Sequence, residues 1–277
     1  MPTLSDVVRV AHQLWPLEGA EPWDASGLTV GLDDWPVRRI LFATDAVDAT
    51  VTEAVAVGAD LLITHHPLLL RGVASIAGAR YKGLLVTRLI QAQCGLLSAH
   101  TNADVVDTGA SSIIAARLGL ENLEPIEARG SGPDGTGRVG TLASPISLGA
   151  LARQLADILP STASGVRVSG EWNQVVQRIA ICSGAGDSLL SQPHVRGADV
   201  YITADLRHHP AQEAREQALL DGSPALIDVS HWASEWLWCE PAAAQLAAEL
   251  PDVEVLVSEL TTDPWNFAVL PSAERPE

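Results

Sequence analysis

Positive charge is scarce in this chain: 17 Lys and Arg stand against 34 Asp and Glu, a formal net charge of -17 over 277 residues. A surface of that sign repels phosphate backbones at long range, so non-specific nucleic-acid binding is not expected, although a bound metal ion would reverse the field inside a single cleft. Cysteine is nearly as sparse. Cys94, Cys182 and Cys239 show no C-x-x-C spacing, which argues against a disulfide framework and for buried free thiols in a reducing compartment. No segment approaches the ~18 uninterrupted apolar residues of a membrane span. Met1-Pro2-Thr3-Leu4-Ser5 lacks the basic region and apolar core of a secretion signal, so the expected location is cytoplasmic. What the chain does have is a composition that is 47% hydrophobic, enough for a substantial core.

Helical and strand patterns alternate along the sequence. Leu4, Val7, Val8, Ala11, Leu14 and Trp15 fall on one helical face after a Thr3 or Ser5 cap, and Pro16 ends the pattern. Strands are expected at 39–44, 60–64 and 96–99, with helices at 49–57 and 83–93 between them, which is the alternation of a parallel sheet. The Gly- and Pro-rich stretch at 128–137 has almost nothing to bury and reads as a linker. It divides an N-terminal α/β half, 1–127, from a C-terminal one, 138–277. In the second half strands are expected at 165–169, 178–182, 199–203, 225–229 and 253–257, and the helix from 233 to 250 is expected to be interrupted at Pro241.

The two halves resemble one another. A shift of 139 positions superimposes Arg39 on Arg178, Ile40 on Ile179, Ala46 on Ala185, Asp48 on Asp187, Gly58-Ala59-Asp60 on Gly197-Ala198-Asp199 and Ile63-Thr64 on Ile202-Thr203. Duplication explains this better than chance. The fold class expected is therefore α/β, with two duplicated halves, mostly parallel sheets and a metal site in the cleft between them.

Chemistry gathers at predicted strand ends. Leu61-Leu62-Ile63-Thr64 runs into His65, His66 and Pro67, and two adjacent imidazoles share one cavity only where the strand unwinds. In the first half His100 is followed four residues later by Asp104, and in the second His231 by Glu235, a spacing that puts both groups on one helical face. Open parallel sheets form their ligand crevices at such ends. His65, His66, Asp104, His231 and Glu235, with His100 beside them, are a nitrogen and oxygen donor set without thiolate. It suits two divalent ions, zinc, iron, manganese, cobalt or nickel, in a hydrolytic role, with water activated near neutral pH. Taken singly, the pairs also fit a capped helix start or a solvated ion pair. His208 and His209 read as outer partners or substrate contacts, and the role of Asp205, which stands where His66 has its counterpart, stays open. The Ser183-Gly184-Ala185-Gly186-Asp187-Ser188 loop is either a phosphate cradle or a tight turn.

At these motifs the sequence resembles the NGG-interacting-factor-three-like family, the GTP cyclohydrolase 1 type 2 homologues. The resemblance rests on Thr64-His65-His66-Pro67, His100-Thr101-Asn102-Ala103-Asp104, Gly137-Arg138-Val139-Gly140, Ser183 to Gly186 and His231 to Glu235, and it covers nearly the whole chain. It implies a dinuclear metal centre on His65, His66, Asp104, His231 and Glu235, and a toroidal homohexamer with its sites facing an inner cavity. Ala204 and Ser230 stand where the family usually has glycine, which leaves the ligands intact and alters the pocket wall. The function expected is a dinuclear-metal hydrolase in which hydroxide attacks a nucleotide-like or small phosphorylated substrate, with His100 as catalytic proton shuttle. The alternative is a metal-binding interaction or regulatory protein without turnover.

Overall fold

The computed structural model describes residues 1–222 and 224–269. In chain order the strands are β1 (Gly27–Val30), β2 (Arg39–Ala43), β3 (Leu61–Thr64), β4 (Gly95–Ser98), β5 (Leu120–Glu124), β6 (Glu127–Ala128), β7 (Gly135–Thr136), β8 (Arg138–Ser147), β9 (Arg167–Ser169), β10 (Val175–Ala185), β11 (Val200–Ala204), β12 (Ala225–Val229) and β13 (Glu254–Val257). The helices are α1 (Leu4–Leu14), α2 (Asp48–Ala56), α3 (Tyr81–Gln91), α4 (Thr101–Asp104), α5 (Ala110–Arg117), α6 (Leu148–Ile158), α7 (Pro193–Arg196), α8 (His208–Asp221) and α9 (His231–Glu249). None of them is long and apolar enough to cross a membrane.

Both principal sheets are mixed. The first runs β1-β4-β3-β2-β13, with only β1 antiparallel to its neighbour. The second runs β5-β8-β10-β11-β12-β9, and only β10-β11 and β11-β12 are parallel. The first sheet keeps the expected predominance of parallel pairs, and the second, antiparallel in three of its five pairings, corrects that expectation. The segment between β5 and β8 holds a two-stranded hairpin, β6-β7, and no crossover helix, so the chain returns antiparallel. Residues 128–137, read as a linker, thus include all of that hairpin except Glu127. β5 and β13 each join the sheet of the other half of the sequence.

Within the two sheets one unit recurs. Ile40, Leu41 and Phe42 oppose Leu61, Leu62 and Ile63, and Ile179, Ala180 and Ile181 oppose Val200, Tyr201 and Ile202, the same pairs 139 residues on. An aspartate fixes each register. Asp60 Oδ2 accepts the amides of Arg38 and Arg39, while Asp199 Oδ2 accepts those of Gln177 and Arg178. In each sheet a short antiparallel strand, β1 or β9, lies beside the third strand of the unit.

Strand alternation explains the layers. Ile40 and Phe42 face one core with α1 and α9, while Leu41 and Ala43 face another with α2 and α3. In the second sheet Ile179 and Ile181 turn towards α5, α6 and α9, and Ala180 and Cys182 towards α7. Helix α9 therefore serves both sheets: Trp238, Cys239 and Ala242 pack on the first, Leu237 on the second. It runs unbroken through Pro241, contrary to the expected interruption. The lost amide bond costs roughly 3 kcal/mol, and burial on two sides offsets it. Trp238 is the centre of this layer, its ring 5.3 Å from Trp15, 6.0 Å from Phe42 and 5.2 Å from His65. Trp238→Ala should lower unfolding free energy by about 3–5 kcal/mol in a denaturant titration.

Candidate metal centre

Each candidate side chain is delivered by a strand end. β3 stops at Thr64, whose hydroxyl donates to the His66 carbonyl (2.8 Å), and the unwound turn lets both rings face one space, 5.2 Å apart. β4 leads to His100 and the single-turn α4 that presents Asp104. β12 leads to Ser230, which caps α9 by accepting the Ala233 amide, so His231 and Glu235 occupy successive turns of one face.

The imidazole Nδ1 atoms are all tied back. His65 Nδ1 donates to the Ala99 carbonyl (2.9 Å), His66 Nδ1 to Asp45 (2.7 Å), His100 Nδ1 to Asp24 (2.7 Å) and His231 Nδ1 to Asp205 (2.8 Å). Such bonds fix the tautomer and point the four Nε2 lone pairs inward. They converge. His66 Nε2 lies 3.2 Å from His231 Nε2, and Glu235 reaches both sides, Oε1 to 3.5 Å from His65 Nε2 and Oε2 to 2.7 Å from His66 Nε2 and 3.1 Å from His231 Nε2. Asp104 Oδ1 stands 3.7 Å from His65 Nε2. Two overlapping donor sets result, His65 with His66 and His100, and His66 with His231 and Glu235, each with its donor atoms within 4.8 Å of one another.

Buried polar atoms ordinarily find partners, yet His65 Nε2, Asp104 Oδ1 and Glu235 Oε2 have no hydrogen bond of acceptable geometry. Lone pairs that face each other at this range repel unless a proton or a cation lies between them. The donors therefore fit divalent metal. Without it, protons take that place. Burial would strip His66 of its proton, but Glu235 and Asp45 outweigh burial and lift it to about 10. His231 is lifted to about 11 against the same penalty by Glu235 and Asp205. Burial favours the neutral form of Glu235 too, but His231, His66 and His65 hold it well below the carboxylate range. Asp104 is pushed upward by burial, with His65 opposing.

All five expected ligands and His100 thus face a common space, while His208 and His209 do not join it. They sit exposed at the start of α8, edge-to-face with ring centres 5.2 Å apart, because β11 ends at Ala204 and, of this segment, Asp205 reaches His231. The open question of Asp205 resolves structurally as the partner of His231. Asp24 and Asp45 had no role assigned from sequence. Asp24 is buried and accepts from His100, Thr101 and Ser26, bonds that hold it well below its usual range despite burial. Its only sequence signal was a polar residue in a turn, whereas Asp45 could have been found as a carboxylate just past the end of β2.

Of the 183–188 segment, Ser183 to Ala185 end β10 and Asp187 opens a single 3-10 turn, so it is a strand end running into a turn. The amides of Ser183 and Gly184 are already taken by the hydroxyls of Ser111 and Ser234, and Gly184 has φ +64. A Cβ at Gly184 would lie 2.3 Å from Glu235 Oε1. Gly184→Ala should therefore lose bound metal, measured by elemental analysis, while backbone strain of ~1–2 kcal/mol leaves the protein folded.

Comparison with known proteins places this architecture. A Streptomyces coelicolor GTP cyclohydrolase 1 type 2 homolog is 46% identical, aligned over 97% of this chain and 95% of its own. A Mycobacterium tuberculosis protein of the same name is 32% identical over 95% of this chain and 97% of its own. The crystal structure of a Staphylococcus aureus hypothetical protein superposes with a TM-score of 0.86 at 28% identity, covering 97% of this chain and all of that one. The family model described as Duf34/NIF3 (NGG1p interacting factor 3) matches residues 2–264, and with that match and the full-length relatives the chain belongs to this family.

Proposed function

We propose that the chain is a cytosolic hydrolase working with two divalent cations on a small heterocyclic or phosphorylated substrate. The observation that carries this is the trio of buried, unpartnered donors, His65 Nε2, Asp104 Oδ1 and Glu235 Oε2, aimed into one space. His65, His66, Asp104, His231 and Glu235 would hold the cations, Glu235 presenting one oxygen towards His65 and the other towards His66 and His231. Cations so held supply Lewis-acid chemistry, polarising an electrophile and lowering the proton affinity of water. The protein's own groups do the rest. Asp24 fixes His100 with Nε2 towards the cavity, where it can take up and return a proton, and the buried floor around Trp238 keeps bulk water from the donors. The three cysteines are all free and buried, which supports a reducing compartment.

The site lies where the halves 1–127 and 138–277 meet, and we read these as copies of one ancestral unit joined through 128–137, on the strength of the matched registers. The homohexamer belongs to the same proposal. Exposed Trp172, Val175, Leu219 and Leu220 supply apolar surface for contact between protomers.

Protein purified without chelator or added metal should contain about two transition-metal ions per chain, sediment as a hexamer, and hydrolyse at least one member of a panel of purine nucleosides, nucleotides and phosphoesters in a chelator-sensitive way. Metal retained with no turnover on the whole panel would leave the ions as a brace between the halves, the regulatory reading.

A further inference from the structure

A cavity of about 310 Å³ opens beside the histidine and carboxylate cluster, and part of its wall has no work in holding metal. Trp23 forms one side of it. The indole is 61% exposed and stands edge-to-face with His100, ring centres 5.9 Å apart. Its place is set by the next residue, since Asp24 binds His100 and Thr101 at the start of α4 and closes its own turn through Ala25 and Ser26. A large aromatic surface is thus held open at the mouth of the site by a rigid turn.

Beyond the donor cluster the charged side chains that line it are carboxylates. Glu21 and Glu127 line the cavity together with the hydroxyls of Thr136 and Ser188, and among the described residues no lysine or arginine does. The arginines close in sequence are committed elsewhere. Arg129 binds Glu21 and the Gly19 carbonyl, and the buried Arg138 spends its terminal nitrogens on the carbonyls of Gly135, Gly137 and Val106. Polyphosphates are ordinarily gripped by guanidinium or ammonium groups, and a row of phosphates extending beyond the metal ligands would meet carboxylates here. An indole face, in contrast, attracts flat rings and cations, and carboxylates accept N–H donors. The volume is at the small end of the ~300–1,000 Å³ range of ligand pockets.

Resting on the hydrolase reading above, we propose that the substrate is a planar nitrogen heterocycle of base or nucleoside size, uncharged or cationic, stacked on Trp23 and carrying no polyphosphate arm. The test is a calorimetric titration of the metal-loaded protein with guanosine, 7-methylguanosine and GTP. Guanosine and its methylated cation should bind at least tenfold tighter than GTP. Trp23→Ala should weaken both by about tenfold, as loss of one base–aromatic stack does, with metal content and melting temperature unchanged and with Trp23→Phe restoring most of the affinity. Glu127→Gln should narrow the gap to GTP. GTP binding as tightly as guanosine, guanosine affinity unmoved in Trp23→Ala, or no binding of any of the three overturns the proposal. Because affinity is read without turnover, this series can fail while hydrolysis is still found on the wider panel, and can succeed where no hydrolysis is found.

Discussion

Glu235→Gln is expected to abolish stoichiometric metal binding and with it any metal-dependent turnover. Glu235 reaches three of the four inward-facing histidines, with Oε1 on the His65 side and Oε2 on the side of His66 and His231. An amide keeps the volume but offers one poor oxygen donor and turns N–H groups towards the other imidazoles. Loss of an outer partner such as Asp45 typically costs ~10–100-fold in metal affinity, and loss of the shared carboxylate should cost more. The fold itself suffers as well. Removing one member of a buried charged cluster costs about 3–5 kcal/mol, so the variant should melt earlier even without metal. Elemental analysis, calorimetric metal titration and thermal melts of Glu235→Gln and Asp45→Asn check this together: Asp45→Asn should stay folded and bind more weakly, whereas a Glu235→Gln protein that keeps two ions would remove Glu235 from the centre.

Metal loading should raise thermal stability by about 10 °C and release protons. Ligand a thousandfold above its dissociation constant stabilises the native state by ~4 kcal/mol, which at ~2–4 °C per kcal/mol for a chain of this size gives that shift. The protons come from His66 and His231, which in the metal-free protein titrate at about 10 and about 11 instead of 6.5. Because these values are raised, the metal-free fold gains their full contribution below about 6.5 and loses it as pH rises through 10 to 11. Metal competes with the same protons, so its affinity should climb with pH over that window. The gap between loaded and chelated melting temperatures should therefore widen from pH 7 to pH 10. A dye-coupled measurement in weak buffer should show proton release near neutral pH, and a constant gap with no release would contradict these assignments.

The parts of this molecule that could be read in advance are those where one residue type has few other uses. Two imidazoles at the end of an apolar run and a carboxylate four positions after a histidine are such signals, and the structure brings all six of these side chains to one space. The central strands were visible because their apolar runs are short and bounded. β5 and β8 were not, because Leu120–Glu124 carries Glu121, Asn122 and Glu124 and is exposed beyond Leu120, and Arg138–Ser147 carries Gly140 and Pro145, residues that weaken any strand pattern. The continuity of α9 depends on burial between two sheets, a tertiary effect that overrides a local breaker. Asp24 was hidden for a different reason: its partner is 76 residues away and a single aspartate in a turn carries no signature, whereas Asp45, 21 residues from His66, was marked only by its place just past a strand end.

β13 has a consequence for how the protein comes to exist. It closes the open side of β2, pairing Glu254 to Val257 with Arg39 to Phe42, and Arg39 holds Glu254 through a 2.7 Å ion pair. During synthesis the opening sheet leaves the ribosome with that side bare, a template for pairing with other chains, until more than two hundred further residues have followed. Nascent chains stalled before residue 254 should therefore need chaperones and self-associate, and release of the final segment should end both.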